Sequence, residues 1–387
     1  MFGGVPAPGH GSPRTLVEMT TIVRHRPLRH GALACLLVAV AACGGGTSGS
    51  STTVAASQPG PTTAAATTAP AVPPSALTTT APVSTTAATT TTGPPRPATV
   101  AELVRKRIVL AHGGGDAAHP HSTPYAFAAS VAEGADVLDL DVHLTSDGVL
   151  VVQHDDDVDR TTNGTGAVAS MTYAELHALD DAYWFAADCT CTDRPVEAYV
   201  LRGVRAGDRP PPAGYRPDDF AITRFEDIAA RFPSTPMNIE IKGRADDGSG
   251  VATARALAAA LAAAGRLDST VVTSFDDSLI EAFRGFAPTV ALSPGLKAMT
   301  AYVLSATAPP SGMTILQLPP EFTGVTVITP ELIARTKAAG LVIWVWPNQA
   351  NRETRELYDS LWAMGLEGIN AATPADAVAA RTAAGGG

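Results

Sequence analysis

An α/β fold is what this sequence predicts, a barrel of eight parallel strands each followed by a helix. Three observations predict it. Short apolar runs alternate with helical patterns along the C-terminal part of the chain, which argues for a parallel sheet. About eight such strands over roughly 270 residues match the size of a (β/α)₈, or TIM, barrel. The loop after the first apolar run, Gly113-Gly114-Gly115-Asp116, lacks the spacing of a dinucleotide-binding turn, which counts against an open doubly wound sheet.

The barrel does not need all 387 residues. Gly44 to Ala98 contains no aromatic residue and one charge, Arg96, among Thr, Ala, Ser, Pro and Gly. Such a stretch cannot bury enough apolar surface to offset its ordering entropy, so residues 44–100 are expected to form a disordered linker. Ahead of it, the basic stretch Arg24 to Arg29 precedes an apolar run, Gly31 to Ala42, too short for the roughly 20 residues of a bilayer span. The run ends Val40-Ala41-Ala42-Cys43-Gly44, similar to the lipobox of bacterial lipoproteins, in which the cysteine carries diacylglycerol and cleavage precedes it. Residues 1–43 are therefore expected to be a signal segment, with Cys43 anchoring the protein to the outer face of the cytoplasmic membrane; simple secretion is the alternative. Met1 to Glu18 has no leader character, which makes Met19 a candidate start. Export fits the cysteines, because Cys189 and Cys191 are then free to form a local disulfide.

The chain carries 27 basic and 37 acidic residues. Five bases and one acid precede Ala101, so the balance from there onward is −14. That excludes a nucleic-acid grip, which demands a basic footprint. A phosphate substrate stays open, because a bound cation inverts local charge.

Within residues 101–380 the elements read in order. Ile108 to His112 is a buried strand, and Thr123-Pro124 caps and opens a helix that stops at Gly134. Strands Asp136 to Leu144 and Val149 to His154 are joined by the turn Ser146-Asp147-Gly148. Thr172 and Glu175 form a capping box. Residues 181–222, rich in Pro and Arg, read as an insertion with little regular structure. Then come a helix from Arg224 to Phe232, a strand from Met237 to Ile241 and an Ala-rich helix from about Val251 to Ala264. A strand from Thr270 to Ser274 precedes a helix from Asp276 to Phe283, with short strands near Thr289, Thr314 and Val325. A helix from Pro330 to Ala339, a strand from Leu341 to Trp346, a helix from Asn351 to Met364 and a strand from Leu366 to Ile369 complete the set.

The chemistry gathers between residues 112 and 154, where five of the nine histidines fall: His112, His119, His121, His143 and His154. A period of two along Val137 to Thr145 sends Leu138, Leu140, Val142 and Leu144 one way and Asp139, Asp141, His143 and Thr145 the other. His112 ends the first strand, Asp139 and Asp141 the second, His154 the third, and Glu240 with Lys242 the strand Asn238 to Gly243. In a parallel barrel these ends share one mouth. Three carboxylates there suit Mg²⁺ or Ca²⁺, and two flanking imidazoles suit acid–base work near neutral pH. A zinc site using His112 and His154 is a weaker alternative.

These residues carry a resemblance. Ala111-His112-Gly113-Gly114, Gly134 to Thr145, Asp147-Gly148, Val151 to Asp155, Val158 to Gly166, Met171 to Leu176 and Leu179-Asp180 resemble the glycerophosphodiester phosphodiesterases. The match thins to Asn238 to Lys242, Thr273 to Phe275, Trp344 to Asn348 and Gly365 to Ile369. The resemblance implies a (β/α)₈ barrel that uses a divalent cation to hydrolyse glycerophosphodiesters to an alcohol and glycerol 3-phosphate. It implies that His112 and His154 are the acid and base, that Asp139, Asp141 and Glu240 hold the metal, and that Lys242 faces the phosphate. Three departures stand out. The arginine usual after the first histidine is Gly113, the usual Pro-Glu-Asn-Thr is Pro120-His121-Ser122-Thr123, and the usual Thr-Asp-x-Pro is replaced within Asn370 to Pro374. Either His119 or His121 is then a candidate to take over the phosphate. A small-molecule or lipid-derived phosphodiester is the expected partner. The alternatives are a related activity on lysophospholipid, sphingomyelin-like or teichoic polymer substrates, and an anchored binding protein weakened in catalysis.

Overall fold

Apolar strands buried on both faces need helices outside and a filled interior, and the chain supplies both. The computed structural model describes residues 96–348 and 353–386. The expected leader, Cys43 and nearly all of the expected linker lie outside the described residues. Eight parallel strands follow one another: β1 (Ile108–His112), β2 (Val137–Leu144), β3 (Met237–Ile241), β4 (Thr270–Thr273), β5 (Ala291–Leu292), β6 (Ile315–Leu318), β7 (Val342–Val345) and β8 (Gly368–Ala371). They pair in the order β6-β7-β8-β1-β2-β3-β4-β5, so the last and first strands meet in the β8–β1 ladder and the barrel is nearly closed. Among the described residues no ladder joins β5 to β6.

The outer layer comprises α1 (Pro124–Ala132), α2 (Phe225–Arg231), α3 (Ser249–Ala263), α4 (Asp277–Phe286), α5 (Leu296–Ser305), α6 (Pro330–Ala338), α7 (Arg355–Ala363) and α8 (Pro374–Ala383). The predicted cap at α1 is present, with the Thr123 hydroxyl accepting from the Ala126 amide. The sequence reading omits α5 and α8. Helix α8 carries the same Thr-Pro start as α1, at Thr373-Pro374. The period-of-two reading of β2 holds, since Leu138, Leu140 and Val142 pack outward with Phe225, Leu257 and Leu279 of the helices.

Inside the barrel, Leu110, Val271, Ile315 and Trp344 form a dry layer, and the short helix Val100–Leu103 plugs it from below. Trp344 fits because β8 has glycine opposite: a Cβ on Gly368 would lie 2.8 Å from Trp344 Cγ. This layer leaves the upper interior to polar side chains.

Two expectations need correction. Leu150–Val152, read as a barrel strand, pairs antiparallel with the end of β2, as does Thr223–Arg224 with it. A three-residue turn can only return the chain antiparallel. The pair near Val325 is likewise a rim hairpin, Glu321–Phe322 against Val325–Thr326. Residues 181–222 are mostly irregular, as expected, yet they pack a small core of Phe185, Leu201, Val204 and Phe220. Arg202 sits there among Tyr183, Trp184 and Tyr199, 3.9–4.5 Å from the ring centres. Cys189 and Cys191 are joined to each other at its edge.

Candidate active site

Strand register assembles the mouth. His112 lies beside Asp139 on the β1–β2 ladder, Asp139 beside Asn238, and Asp141 beside Glu240. Asn238 and Gln317, on opposite sides of the barrel, exchange two amide hydrogen bonds of 3.0 and 2.8 Å and floor the site. Asp139 accepts from the side-chain amides of Asn238 and Asn370. Burial nevertheless raises its carboxyl to about 6, because His112 and the amides offset only part of the desolvation.

Lys242 places its ammonium between Asp141, at 3.0 Å, and Glu240, at 3.1 Å. The two carboxylates respond oppositely. Burial works to raise both, but Lys242 and the facing histidines hold Asp141 well below the usual range. Glu240 is pushed up to about 7 by burial, with Asp141 adding to it. The buried Oδ1 of Asn370 has no partner. Two carboxyls lifted toward neutrality and an orphaned acceptor mark a site short of positive charge, and hard oxygens suit Mg²⁺ or Ca²⁺. As arranged, no three acidic, imidazole or thiol side chains among the described residues stand close enough to share an ion. Lys242 fills that place.

His112 and His154 face each other with ring centres 6.4 Å apart. His154 reaches the mouth because the hairpin returns beside β2, where the Gln153 amide donates to the Asp141 carbonyl. Each ring meets a carboxylate through Nδ1: Asp116 at 3.1 Å for His112 and Asp155 at 2.6 Å for His154. Both Nε2 atoms are thereby left for a substrate. Burial alone would lower the His112 pKa, but Asp116, with Asp139 and Asp141, raises it to about 10. Arg160 clamps Asp155 through Nε at 2.6 Å and Nη2 at 3.0 Å.

His119 is not brought to the mouth. Its Nε2 meets Glu133 at 2.9 Å and its ring packs on Tyr125. His121 is there, but behind the others, its ring centre 5.8 Å from His112 and 5.1 Å from His154. Burial pushes it down to about 3, so it stands as a neutral ring, not as a cation for an anion. Sequence reasoning passed over Asp155 and Arg160, although they lie inside the motifs, over Asp116, two residues past the first motif, and over Asn238, Gln317 and Glu353. Glu353 closes one wall, accepting from the Ala372 amide at 2.8 Å and the Tyr358 hydroxyl at 2.6 Å, and burial lifts it to about 7.

A cavity of about 540 Å³ is bordered at one end by His112, Asp116, Asp139, Asp141, His154, Glu240 and Glu353, while Lys242 borders an adjoining pocket on the other side of Glu240. Residues 112–370 match the profile of the glycerophosphoryl diester phosphodiesterase family. The chain belongs to this family. A family member from Caldanaerobacter subterraneus, a glycerophosphodiester phosphodiesterase, is 49% identical over 75 residues, which is 19% of this chain and 31% of that protein. The chain thus aligns with about a third of the length of the curated relatives it matches. The fold is shared more widely. The crystal structure of a glycerophosphodiester phosphodiesterase from Agrobacterium tumefaciens superposes with a TM-score of 0.51 at 22% identity, covering 70% of this chain and 99% of that one. An Oleispira antarctica phosphodiesterase in complex with the product sn-glycerol-3-phosphate gives 0.54 at 19% identity, covering 72% and 98%.

Proposed function

We propose that the protein hydrolyses glycerophosphodiesters to an alcohol and glycerol 3-phosphate, with His112 and His154 as acid and base. The observation that carries this reading is the facing pair of imidazoles, each oriented through Nδ1 by its own carboxylate, above Asp139, Asp141 and Glu240 in one cavity. One imidazole takes a proton from water as its oxygen bonds to phosphorus. The other gives a proton to the alcohol oxygen as that P–O bond breaks. Lys242, released by a bound phosphate from part of its hold on Asp141 and Glu240, balances charge on the phosphoryl oxygens. Asp139, Asp141 and Glu240 would hold Mg²⁺ or Ca²⁺, which when bound supplies electrostatic stabilisation to those oxygens.

The test is release of glycerol 3-phosphate from glycerophosphocholine by the full chain. His112→Ala and His154→Ala should each cost about 10²–10⁴-fold in kcat with thermal unfolding unchanged. Residual activity above roughly one per cent in both variants would overturn the assignment. A chelator should abolish turnover and Mg²⁺ or Ca²⁺ restore it; activity that persists in chelator removes the metal from the reading.

A further inference from the structure

The cavity is zoned, and the zoning speaks about the substrate. Its far wall has no charged side chain beyond the catalytic end and is built by α5, the rim hairpin and the loops after β4 and β7. On α5 the cavity-facing residues are Leu296, Met299, Thr300, Val303 and Leu304. Their spacing traces one continuous face of a helix, while Tyr302 turns into the core. Ordinarily an apolar helix stripe faces the core. Here Met299 and Val303 still touch the core, but the stripe borders the opening, and Leu296 and Leu304 are 41% and 67% exposed. Opposite, Phe275 and Trp346 meet edge to face at 5.9 Å and Val325 is 49% exposed. Of the six large apolar side chains exposed among the described residues, four border this one cavity. A surface of that kind marks a binding site.

We infer that the substrate is amphipathic, a glycerophosphodiester that keeps one acyl chain, with the phosphodiester at the histidines and the chain along the α5 wall. The inference rests on the phosphodiesterase reading and narrows it. A deacylated glycerophosphodiester fills only the polar end and leaves the wall in water. One void joins the two zones, so a single molecule that satisfies both must be charged at one end and apolar along the rest. The reaction keeps its balance: water adds to phosphorus, the head-group alcohol leaves, and the acylated glycerol phosphate is the second product.

The experiment measures choline released by the full chain from glycerophosphocholine and from lysophosphatidylcholines of increasing chain length, each below its aggregation concentration. A fully buried methylene is worth about fourfold in affinity. In this half-open groove kcat/KM should rise at least tenfold between a four-carbon and a twelve-carbon chain, through KM. Leu304→Asp should cut the ratio of long-chain to unacylated kcat/KM about tenfold. As a ratio, this is insensitive to partial loss of folded protein. A flat or falling series with active glycerophosphocholine turnover overturns the chain site and leaves the phosphodiesterase reading standing. If no substrate turns over, that reading fails, and calorimetry on dodecylphosphocholine and butylphosphocholine then decides the site. Tenfold tighter binding of the dodecyl compound, weakened by Leu304→Asp, upholds it, and equal binding overturns it.

Discussion

At Gly113 the chain departs from its family in a way that one neighbour explains. A Cβ on Gly113 would clash with the His121 ring, 2.7 Å from Nδ1, so the room an arginine would use is taken by that imidazole. The glycine also has φ +50, in the left-handed region. The two departures are therefore sterically linked, the imidazole at 121 standing where a side chain at 113 would go. Gly113→Ala should destabilise the protein by about 2 kcal/mol or more, part overpacking and part backbone strain, and lower kcat/KM at least tenfold. Adding His121→Ala should return the overpacking part and leave the strain. Thermal unfolding of the two single variants and the double variant checks this, since strictly additive losses would mean that the ring is not what fills the space. Of the residues here, His112, His154 and the carboxylates were legible because motif and strand period agree. His119 was misread because its partner, Glu133, lies a helix away.

Helix α5 shows why some elements escape the sequence. Its N-cap, Gly295, offers no side chain. The capping carboxylate comes from the preceding helix: Asp277, at the start of α4, accepts from the amides of Lys297 at 2.9 Å and Ala298 at 3.2 Å. A Cβ on Gly295 would lie 2.7 Å from the Asp277 amide, so the glycine serves the close approach. Nothing local announces such a cap. The hairpin after β2 is the reverse case, because Ser146-Asp147-Gly148 already forbids a parallel partner and the reading did not use it. Asp277→Ala should cost about 1 kcal/mol and loosen the first turn of α5. Amide exchange at residues 297–299 should accelerate by about tenfold while the barrel strands keep their protection. Unchanged exchange there would show that the turn does not depend on this carboxylate.

For the molecule as a whole, the barrel was legible because eight apolar runs with helical spacers admit few arrangements. Its electrostatic state was not, because protonation depends on burial that only the fold creates. Asp181 is a case away from the mouth. It is fully buried, the Thr161 hydroxyl donates to its Oδ1 at 2.6 Å, and its Oδ2 has no partner. Burial pushes its carboxyl from the ordinary 3.8 up to about 8. In the unfolded chain the same group ionises near pH 4, so between pH 4 and 8 the unfolded state sheds a proton that the folded state keeps. The stability this confers is complete below pH 4, declines as the pH rises and is gone above about 8. Asp181→Asn cannot ionise and escapes the decline. Its melting temperature relative to the parent should climb by several degrees from pH 5 to pH 8. That corresponds to on the order of 4 kcal/mol, from about 1.4 kcal/mol per pH unit, at about 2–4 °C per kcal/mol for a fold of this size. Parallel pH profiles for the two proteins would mean that Asp181 ionises in the fold near its ordinary value, with the nearby Arg160 compensating its charge.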